Sequence, residues 1–501
     1  MKIILFCFSL LFIPIIQAQS IQDSSAKIPE NSNLGKPDNT AIIDKTLYDT
    51  AIDSRPKNKY GDLLNDDPAF NKKYPWYIPA AKVVLSDATN WALNKFVFHY
   101  DFANISLKTW NNNLTHGWEW DSDHFGTNFI GHPYSGSLYF NIARSNGYSY
   151  WGSIPYAIEG SLIWEYFGEN TKPSRNDIIN TPFSGLLLGE ILYRLSSNVL
   201  DDRATGSNRV WREILAAVIS PQRGFNRLTQ GKTSRHTIKE VYQKEPLNVT
   251  FSGGIHKIND NNKFGTGLTN AVVDLQLDYG DPFEVRHRKP FDVFRFRTES
   301  SFGLNKKILG NVLGYGILFG KNVVKGENGL LAGGFQYFDY WNNKVFELGS
   351  LGFGAGIISR IPVKKKSGLY SSLHIALVPL AANNTGFGPD TSRFRDYNFG
   401  GGLESKIEET FHIGSFADIG FSAYYYWLQN YENQKGKSII GIIKPRIAIN
   451  FSRTISLGLE HQAYFVNRFI NGVPSLHLRT TEQKLFLQVF LEDPRRRGRY
   501  H

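Results

Sequence analysis

The second half of the chain alternates between apolar and polar residues with a period of two. Within residues 411–428, odd positions such as Ile419 and Phe421 are apolar, whereas even positions such as Asp418 and Ser422 are polar or glycine. Segments of about ten residues with this alternation are typical of transmembrane β-strands, which turn one face to lipid and the other to the lumen. The same pattern recurs in residues 268–279, 369–379, 455–465 and 484–491.

Twelve such strands can be counted, and an even number suits a bacterial single-chain barrel with both ends in the periplasm. The turns expected after strands eight and ten are short, and those after strands seven, nine and eleven are long and polar, which places the long loops outside the cell. A soluble β-sandwich or repeat array is the alternative, but aromatic clusters such as residues 424–427 at strand ends favour a barrel over residues 246–491. The strands are expected to begin near residues 248, 268, 291, 308, 330, 345, 368, 397, 411, 438, 454 and 480.

The first half changes to a period of about 3.6, which predicts an amphipathic helical domain over residues 72–240. Thr181 and Pro182 suit the start of one helix, and Gly147 suits the end of another. The fold class is therefore α+β, with a helical amino-terminal domain followed by an antiparallel transmembrane barrel of about twelve strands. The expected helices cover residues 80–98, 133–146, 156–168, 182–200 and 210–220.

Charged and polar residues at matched spacing interrupt the apolar faces of these helices. Glu190 and Arg194 are one helical turn apart, and Asn141 lies close to Arg144 in sequence. One interpretation is a soluble bundle that keeps these charges in water, and the other buries them as a polar network against the barrel or its lumen. Gly185 with Gly189 would let another helix approach closely.

The amino terminus has the features of a secretory signal over residues 1–18, with an apolar run and cleavage near Ala18. The only cysteine, Cys7, lies in that run, so disulfides and thiolate chemistry are excluded from the mature chain. Residues 19–71 are polar and are expected to form a disordered tether. Residues 492–501 form a basic tail.

The charge balance of 56 basic against 45 acidic residues gives +11. An exported basic protein meets anionic lipid and lipopolysaccharide phosphates, so we expect outer-membrane lipids, lipopolysaccharide and the barrel assembly machinery as partners, and no nucleic acid. The expected location is the bacterial outer membrane. The oligomeric state stays open.

The polar face of the predicted strands carries charges of both signs. Such a row suits either a narrow polar pathway or the docking of helices, and twelve strands lie between barrels filled by side chains and barrels with a water channel. The expected lumen residues are Asp274, Asp278, Arg295, Arg297, Glu299, His374, Asp418, Lys444, Arg446 and Glu460.

Candidate chemistry is concentrated in residues 116–147 and the helix that follows. His132 beside Glu165 and Glu169 could perform acid and base catalysis if burial raised the pKa of one carboxyl group. Asp121, Asp123 and His124 with His116 and His132 are the alternative candidates for a metal site, but no recognised ligand spacing is present, so neither a metal nor a cofactor is expected. No nucleophile elbow or phosphate loop occurs.

Several spaced motifs give a resemblance to a known family. The motifs "WEWDSDHFGTNFIGHPYSGSLYFNIARSNGYSYW", "GSLIWEYFGE", "PSRNDIINTPFSGLLLGE" and "YRLSSNVLDD" resemble a family of bacterial outer-membrane proteins known as domain of unknown function 3943, over about residues 110–230. The resemblance implies an outer-membrane protein and no particular reaction.

Taken together, these patterns predict an outer-membrane β-barrel with a helical plug or periplasmic domain and a binding, transport or envelope role. The alternative is a lipid-directed hydrolase or acyltransferase that acts at the outer membrane. Whether the protein is an enzyme stays open.

Overall fold

The computed structural model describes residues 55–260, 263–303, 308–364, 367–384, 397–432, 435–472 and 474–493. The expected signal peptide and its cleavage site, the tether up to residue 54 and the tail from residue 494 lie outside the described residues. Residues 55–71 fall within the expected tether, yet Leu63 is only 2% exposed and Arg55 forms an ion pair with Asp67. The packed part of the chain therefore begins before residue 72.

The helices lie in the first half of the described chain, as the sequence predicts. The helices expected from residues 156 and 182 begin at Tyr150 and Asp177, so Pro155 and Pro182 lie inside them and not at their first turns. In the described residues, no helix is long and apolar enough to cross a membrane. The helices are α1 (Tyr77–Phe96), α2 (Leu107–Thr115), α3 (His132–Ser145), α4 (Tyr150–Ile163), α5 (Asp177–Val199), α6 (Gly206–Ile219) and α7 (Pro221–Thr229).

The second half forms a closed antiparallel barrel in which each strand pairs with its neighbours in sequence and β1 pairs with β12. The count of twelve and the α+β fold class are those predicted. The strands are β1 (Leu247–Ile258), β2 (Thr269–Tyr279), β3 (Phe294–Phe302), β4 (Leu309–Val324), β5 (Gly329–Asn342), β6 (Glu347–Lys364), β7 (Ser367–Asn384), β8 (Asn398–Ile413), β9 (Ala417–Asn430), β10 (Gly436–Asn450), β11 (Ile455–Ile470) and β12 (Leu476–Leu491).

The two faces of the barrel wall differ in chemistry. Ion pairs such as Arg295 with Glu408 join β3 to β8, which are not neighbours in the sheet, so these side chains meet across the interior. Because side chains alternate along a strand, the intervening positions point outward. On β7 the outward residues Ile375 and Leu377 are 60% and 67% exposed. An exposed apolar outer face around a charged interior is the arrangement of a membrane-spanning barrel.

The described chain divides into two compact units that do not follow the sequence order of a helical domain and a barrel. One unit holds residues 55–83, 138–156 and 189–244. The other holds residues 84–137, 157–188 and the barrel from residue 245 onward. The expected boundary between residues 240 and 246 therefore separates the strands from only part of the helical sequence, because the remaining helical residues pack with the barrel.

Helical residues of the barrel unit contact the outer face of the wall. A Cβ atom on Gly349 would lie 2.1 Å from the Phe129 ring, and Gln336 donates a hydrogen bond from Nε2 to the carbonyl oxygen of Phe183. Gly349 and Gln336 are next in sequence to Ser350 and Tyr337, which face the interior. Because side chains alternate along a strand, Gly349 and Gln336 face outward. The described interior contacts are made by the side chains of the strands themselves. The prediction that the helices plug the lumen is therefore wrong for this part of the chain. These helical residues lie against the outside of β5 and β6.

The other unit buries the polar network that the sequence suggested. Glu190 is fully buried and accepts hydrogen bonds from Arg144 at 2.7 and 3.0 Å and from Arg194 at 2.8 Å. Asn141 donates to the carbonyl oxygen of Gly189 at 3.2 Å. In the same unit the buried Asp202 forms ion pairs with Arg209, Arg227 and Arg235. Each buried acid of this network is matched by guanidinium groups, which satisfies the requirement that buried charges be paired.

Candidate functional site

A buried cluster of one histidine and several acids lies in the helical part of the barrel unit. Ligand atoms of His132, Glu165 and Asp177 all lie within 4.8 Å of one another, and a second group joins His132 to Asp121 and Asp123 in the same way. The Nε2 atom of His132 is 3.7 Å from a carboxylate oxygen of Asp177. Glu165 and Asp177 are 3% and 1% exposed. We call these five residues the His132 cluster.

Local backbone irregularities position the His132 cluster. A π-helical turn over Thr127–Gly131 directly precedes His132, and a second one over Trp164–Gly168 contains Glu165. Such turns are rare and occur frequently at functional sites. Helices α3 and α5 also approach closely here, because a Cβ atom on Gly185 would lie 2.5 Å from backbone carbon of Gly136. This contact holds the amino-terminal halves of the two helices against each other.

Hydrogen bonds orient the buried side chains of the cluster. Ser174 donates its backbone N–H to Oε2 of Glu165 at 2.7 Å, and Asn176 donates from Nδ2 to Oδ1 of Asp177 at 2.8 Å. The Nδ1 atom of His132 is 3.2 Å from the Thr181 hydroxyl. With Nδ1–H donating to that hydroxyl, the lone pair of Nε2 would be free to face the acids.

The cluster concentrates negative charge where water is scarce. Among the described residues, no Lys or Arg forms an ion pair with Glu165, Asp177, Asp121 or Asp123. Burial, then the nearby Asp177 carboxylate, raises the pKa of Glu165 well above its ordinary value, and burial followed by Asp121 does the same to the pKa of Asp177. Burial also raises the pKa of Glu169 to about 7. The acids resist ionisation unless a cation compensates them.

Contacts with the barrel hold the acidic loop of the cluster in place. Asn128 donates from Nδ2 to Asp121 at 2.7 Å and to the hydroxyl of Tyr397 at 2.6 Å. The Trp120 ring stacks on Phe399 of β8, with centroids 5.0 Å apart. Tyr397 and Phe399 lie at the end of the barrel where β7 and β8 are connected, opposite the end where β1 begins and β12 finishes. The cluster is therefore anchored towards the barrel end where β7 is connected to β8.

The structure separates the catalytic candidates that the sequence placed together. His132 and Glu165 meet in the cluster, but Glu169 belongs to neither ligand group. Glu169 follows the π-helical turn in extended conformation, so the spacing of four residues does not put it on the face of Glu165. Its carboxylate instead accepts hydrogen bonds from the Trp164 indole at 2.6 Å and the Thr171 hydroxyl at 3.0 Å. His116 and His124 also lie outside both groups.

Asp177 is the member of the cluster that sequence reasoning missed. An acid in the first turn of a helix is expected for its favourable interaction with the helix dipole, so Asp177 gives no separate signal of a site. The sequence signal is the presence of asparagines around Asp177. In the structure Asn176 and Asn180 both hydrogen-bond to Asn128. Polar side chains that satisfy one another in this way mark a buried polar site and not a helix surface.

Oppositely charged groups fill the interior of the barrel. Lys406 of β8 contacts Asp339 of β5 at 2.6 Å, and Arg295 bridges Asp278 and Glu408, both at 2.6 Å. Lys484 contacts Asp274, Glu299 and Glu460. Further interior contacts join Lys444 to Glu460, Arg297 to Gln276, His374 to Tyr337, Asp418 to His412 and Arg446 to Gln488.

One small cavity lies between these side chains. A cavity of about 20 Å³ is lined by residues that include His256, Asn311 and Tyr464. A single ordered water needs about 10–15 Å³ by the same measure. The ion pairs that join β3 to β8 and β5 to β8 cross the interior of the barrel.

Comparisons with known proteins give a family-model match for one part of the chain. No curated protein matches the sequence. Three solved structures are similar to parts of it: the NanC porin (10% identity, 48% of this chain and 98% of that one, TM-score 0.26), the outer-membrane channel DcaP of Acinetobacter baumannii (8%, 49% and 96%, 0.21) and the TodX monoaromatic hydrocarbon channel (7%, 50% and 90%, 0.21). Scores this low carry no argument, and the fold rests on the strand pairing. Residues 117–222 match the family model described as Domain of unknown function (DUF3943), which confirms the resemblance expected from the motifs.

Proposed function

We propose that this protein is a bacterial outer-membrane β-barrel of the binding or transport class whose lumen is closed at rest by ion pairs. The observation that carries the proposal is the pair of charge contacts that cross the interior, Arg295 with Glu408 and Lys406 with Asp339. They are enclosed by a wall whose outward residues are apolar and exposed. Such a barrel needs a bilayer, and passage through it requires these pairs to separate.

The resting closure follows from electrostatics in a narrow lumen. Each of these contacts is 2.6 Å long, and Asp339 also accepts a hydrogen bond from Tyr426 at 2.7 Å. Removing one partner of a buried ion pair leaves an uncompensated charge, which is strongly unfavourable. Removing both charges of the Arg295–Glu408 pair keeps the net charge of the lumen unchanged and leaves neither of the two uncompensated, while Asp278 loses its contact with Arg295.

Planar-bilayer recordings on the full chain would test this proposal. We expect wild-type protein to show no steady open-channel current and the double variant Arg295→Gln/Glu408→Gln to open more frequently. The matched control is Lys172→Gln/Glu119→Gln, which removes an exposed ion pair outside the barrel. Heat-modifiable migration in detergent gels would establish that each variant is a folded barrel. A wild-type barrel that conducts steadily, or a double variant that stays silent, would contradict the proposal.

The His132 cluster supports a second candidate function, a lipid-directed hydrolase or acyltransferase. Burial raises the pKa values of Glu165 and Asp177 beside a histidine, which suits general acid and base catalysis. The cluster is also anchored by Tyr397 near the barrel end that would face lipopolysaccharide.

Lipid analysis of cells would distinguish the two candidates. Cells overproducing the wild-type protein should show altered outer-membrane lipids, and the altered species should disappear with His132→Ala or Glu165→Gln. Identical lipid profiles in all these cells would eliminate the enzyme and leave the binding or transport class.

A further inference from the structure

Glu165 and Asp177 of the His132 cluster pair with no described Lys or Arg, and the base beside them is His132. Glu190 has two arginines, and Glu299 in the barrel contacts Lys484. Glu165 and Asp177 are as deeply buried, yet among the described residues neither forms an ion pair with Lys or Arg. Buried carboxylates are ordinarily paired, protonated or bound to a metal.

A second observation comes from the hydrogen bonds of Glu165. Its carboxylate accepts one bond within the described chain, from the backbone N–H of Ser174 to Oε2, so Oε1 has no partner although the side chain is nine-tenths buried. One carboxylate oxygen of Glu165 also lies within 4.8 Å of ligand atoms of His132 and Asp177. A carboxylate oxygen without a donor, on a side chain that is 3% exposed and close to a histidine nitrogen and a second carboxylate, is suited to a cation.

We propose that His132, Glu165 and Asp177 form a binding site for a divalent transition-metal ion such as Zn²⁺ or Mn²⁺. One imidazole with two carboxylates is a donor set for these ions, whereas Mg²⁺ and Ca²⁺ prefer oxygen donors alone. Thr181 would orient His132 through Nδ1, which is the kind of outer contact that metal-bound histidines ordinarily have.

Asp121 and Asp123 give this site an approach from solvent. Their ligand atoms lie within 4.8 Å of a nitrogen of His132, and Asp123 is exposed whereas Glu165 and Asp177 are buried. Two carboxylates on the open side would raise the local cation concentration and could complete the coordination of a bound ion. The site does not depend on transport or on lipid chemistry, so it stands or fails separately from the proposed function.

Metal titration of the untagged full chain in detergent, after treatment with EDTA, would test the site. Isothermal titration calorimetry should show saturable binding of one Zn²⁺ or Mn²⁺ per chain, with much weaker binding of Mg²⁺ and Ca²⁺. The same ion should raise the thermal unfolding temperature. Glu165→Gln, Asp177→Asn and His132→Gln should each lower the affinity by at least about 100-fold, at the upper end of the effect of losing an outer contact.

Two matched controls make the result specific. Glu159→Gln removes a partly buried acid of α4 outside the cluster, and His116→Gln removes an exposed histidine. Both should bind the ion as the wild type does, and heat-modifiable migration should show that every variant is folded. The absence of saturable Zn²⁺ and Mn²⁺ binding, a preference for Mg²⁺ or Ca²⁺, or equal affinity in the three ligand variants and the controls would each overturn the proposal.

Discussion

The barrel lumen and the His132 cluster bury acids in opposite ways. In the lumen, Lys484 contacts three carboxylates and Lys406 contacts Asp339 and Glu404, so acidic and basic groups compensate one another. In the His132 cluster the acids have a histidine and hydrogen-bond donors, and no described Lys or Arg pairs with them. The lumen is electrostatically complete, which suits a closed structural core. The cluster is incomplete, which suits a ligand site.

This difference changes where function is expected. Charged residues inside a barrel suggest a pore when the sequence is considered alone, but here they pair with one another across the interior. The acids that pair with no described Lys or Arg are those of the His132 cluster. They lie outside the barrel wall, near Tyr397 and Phe399. Substitutions at the two places should therefore have different effects on stability.

The largest effect is expected from Lys484→Met in the lumen. Removal of this ammonium leaves Asp274, Glu299 and Glu460 close together without a shared cation, and breaking a buried ion pair costs about 3–5 kcal/mol. Denaturant unfolding in detergent, followed by far-ultraviolet circular dichroism, would measure it. A loss below about 1 kcal/mol, as found for exposed pairs, would show that the lumen acids are not electrostatically dependent on this lysine.

A somewhat smaller loss is expected from Glu190→Gln in the other compact unit. Glutamine keeps the shape and an acceptor oxygen but removes the charge that Arg144 and Arg194 share. Hydrogen bonds to charged groups contribute about 1.5–3 kcal/mol, so we expect a loss in that range by the same unfolding experiment. A stability equal to that of the wild type would show that this buried network contributes nothing.

An intermediate effect should follow from Gly349→Ala, which tests the position of the helices on the outer wall. The added Cβ would lie 2.1 Å from the Phe129 ring, and overpacking costs about 1–3 kcal/mol. Gly253→Ala is the matched control, because nothing lies within 4 Å of a Cβ there. Equal stability of the two variants would mean that Phe129 does not pack on β6.

The smallest effect is expected from Glu165→Gln in metal-free protein. Glutamine removes a charge that burial disfavours, and its Oε1 can still accept the hydrogen bond from Ser174. The change in unfolding free energy should therefore stay within about 1 kcal/mol or be stabilising. A loss as large as that of Lys484→Met would show that the cluster is a structural core like the lumen.

The sequence alone predicts the barrel well, because alternation acts over many strands at once. The first strand was expected near residue 248 and begins at Leu247, and the tenth was expected near residue 438 and begins at Gly436. The ninth was expected near residue 411 but begins at Ala417. A turn of three residues separates Ile413 from Ala417, so the apolar residues stay at odd positions on both sides of the reversal. Period alone cannot reveal such a turn.

The His132 cluster was only partly predictable, because its geometry depends on contacts between distant segments. His132 and Glu165 were recognised as chemically capable residues, but Asp177 resembles an ordinary acid at a helix start. The π-helical turn that contains Glu165 and ends before Glu169 produces no periodic pattern of apolar residues in the sequence. The packing of Phe129 on Gly349 depends on residues far apart in the chain, which a pattern along one segment cannot specify.

Elemental analysis of the protein purified from outer membranes, without added metal, tests the central claim most directly. The account predicts about one divalent transition-metal ion per wild-type chain, the same content in Lys172→Gln/Glu119→Gln, and none in Asp177→Asn. Equal metal content in the wild type and Asp177→Asn, or no metal in either, would contradict the claim that the acids outside the wall are completed by a cation while those in the lumen complete themselves.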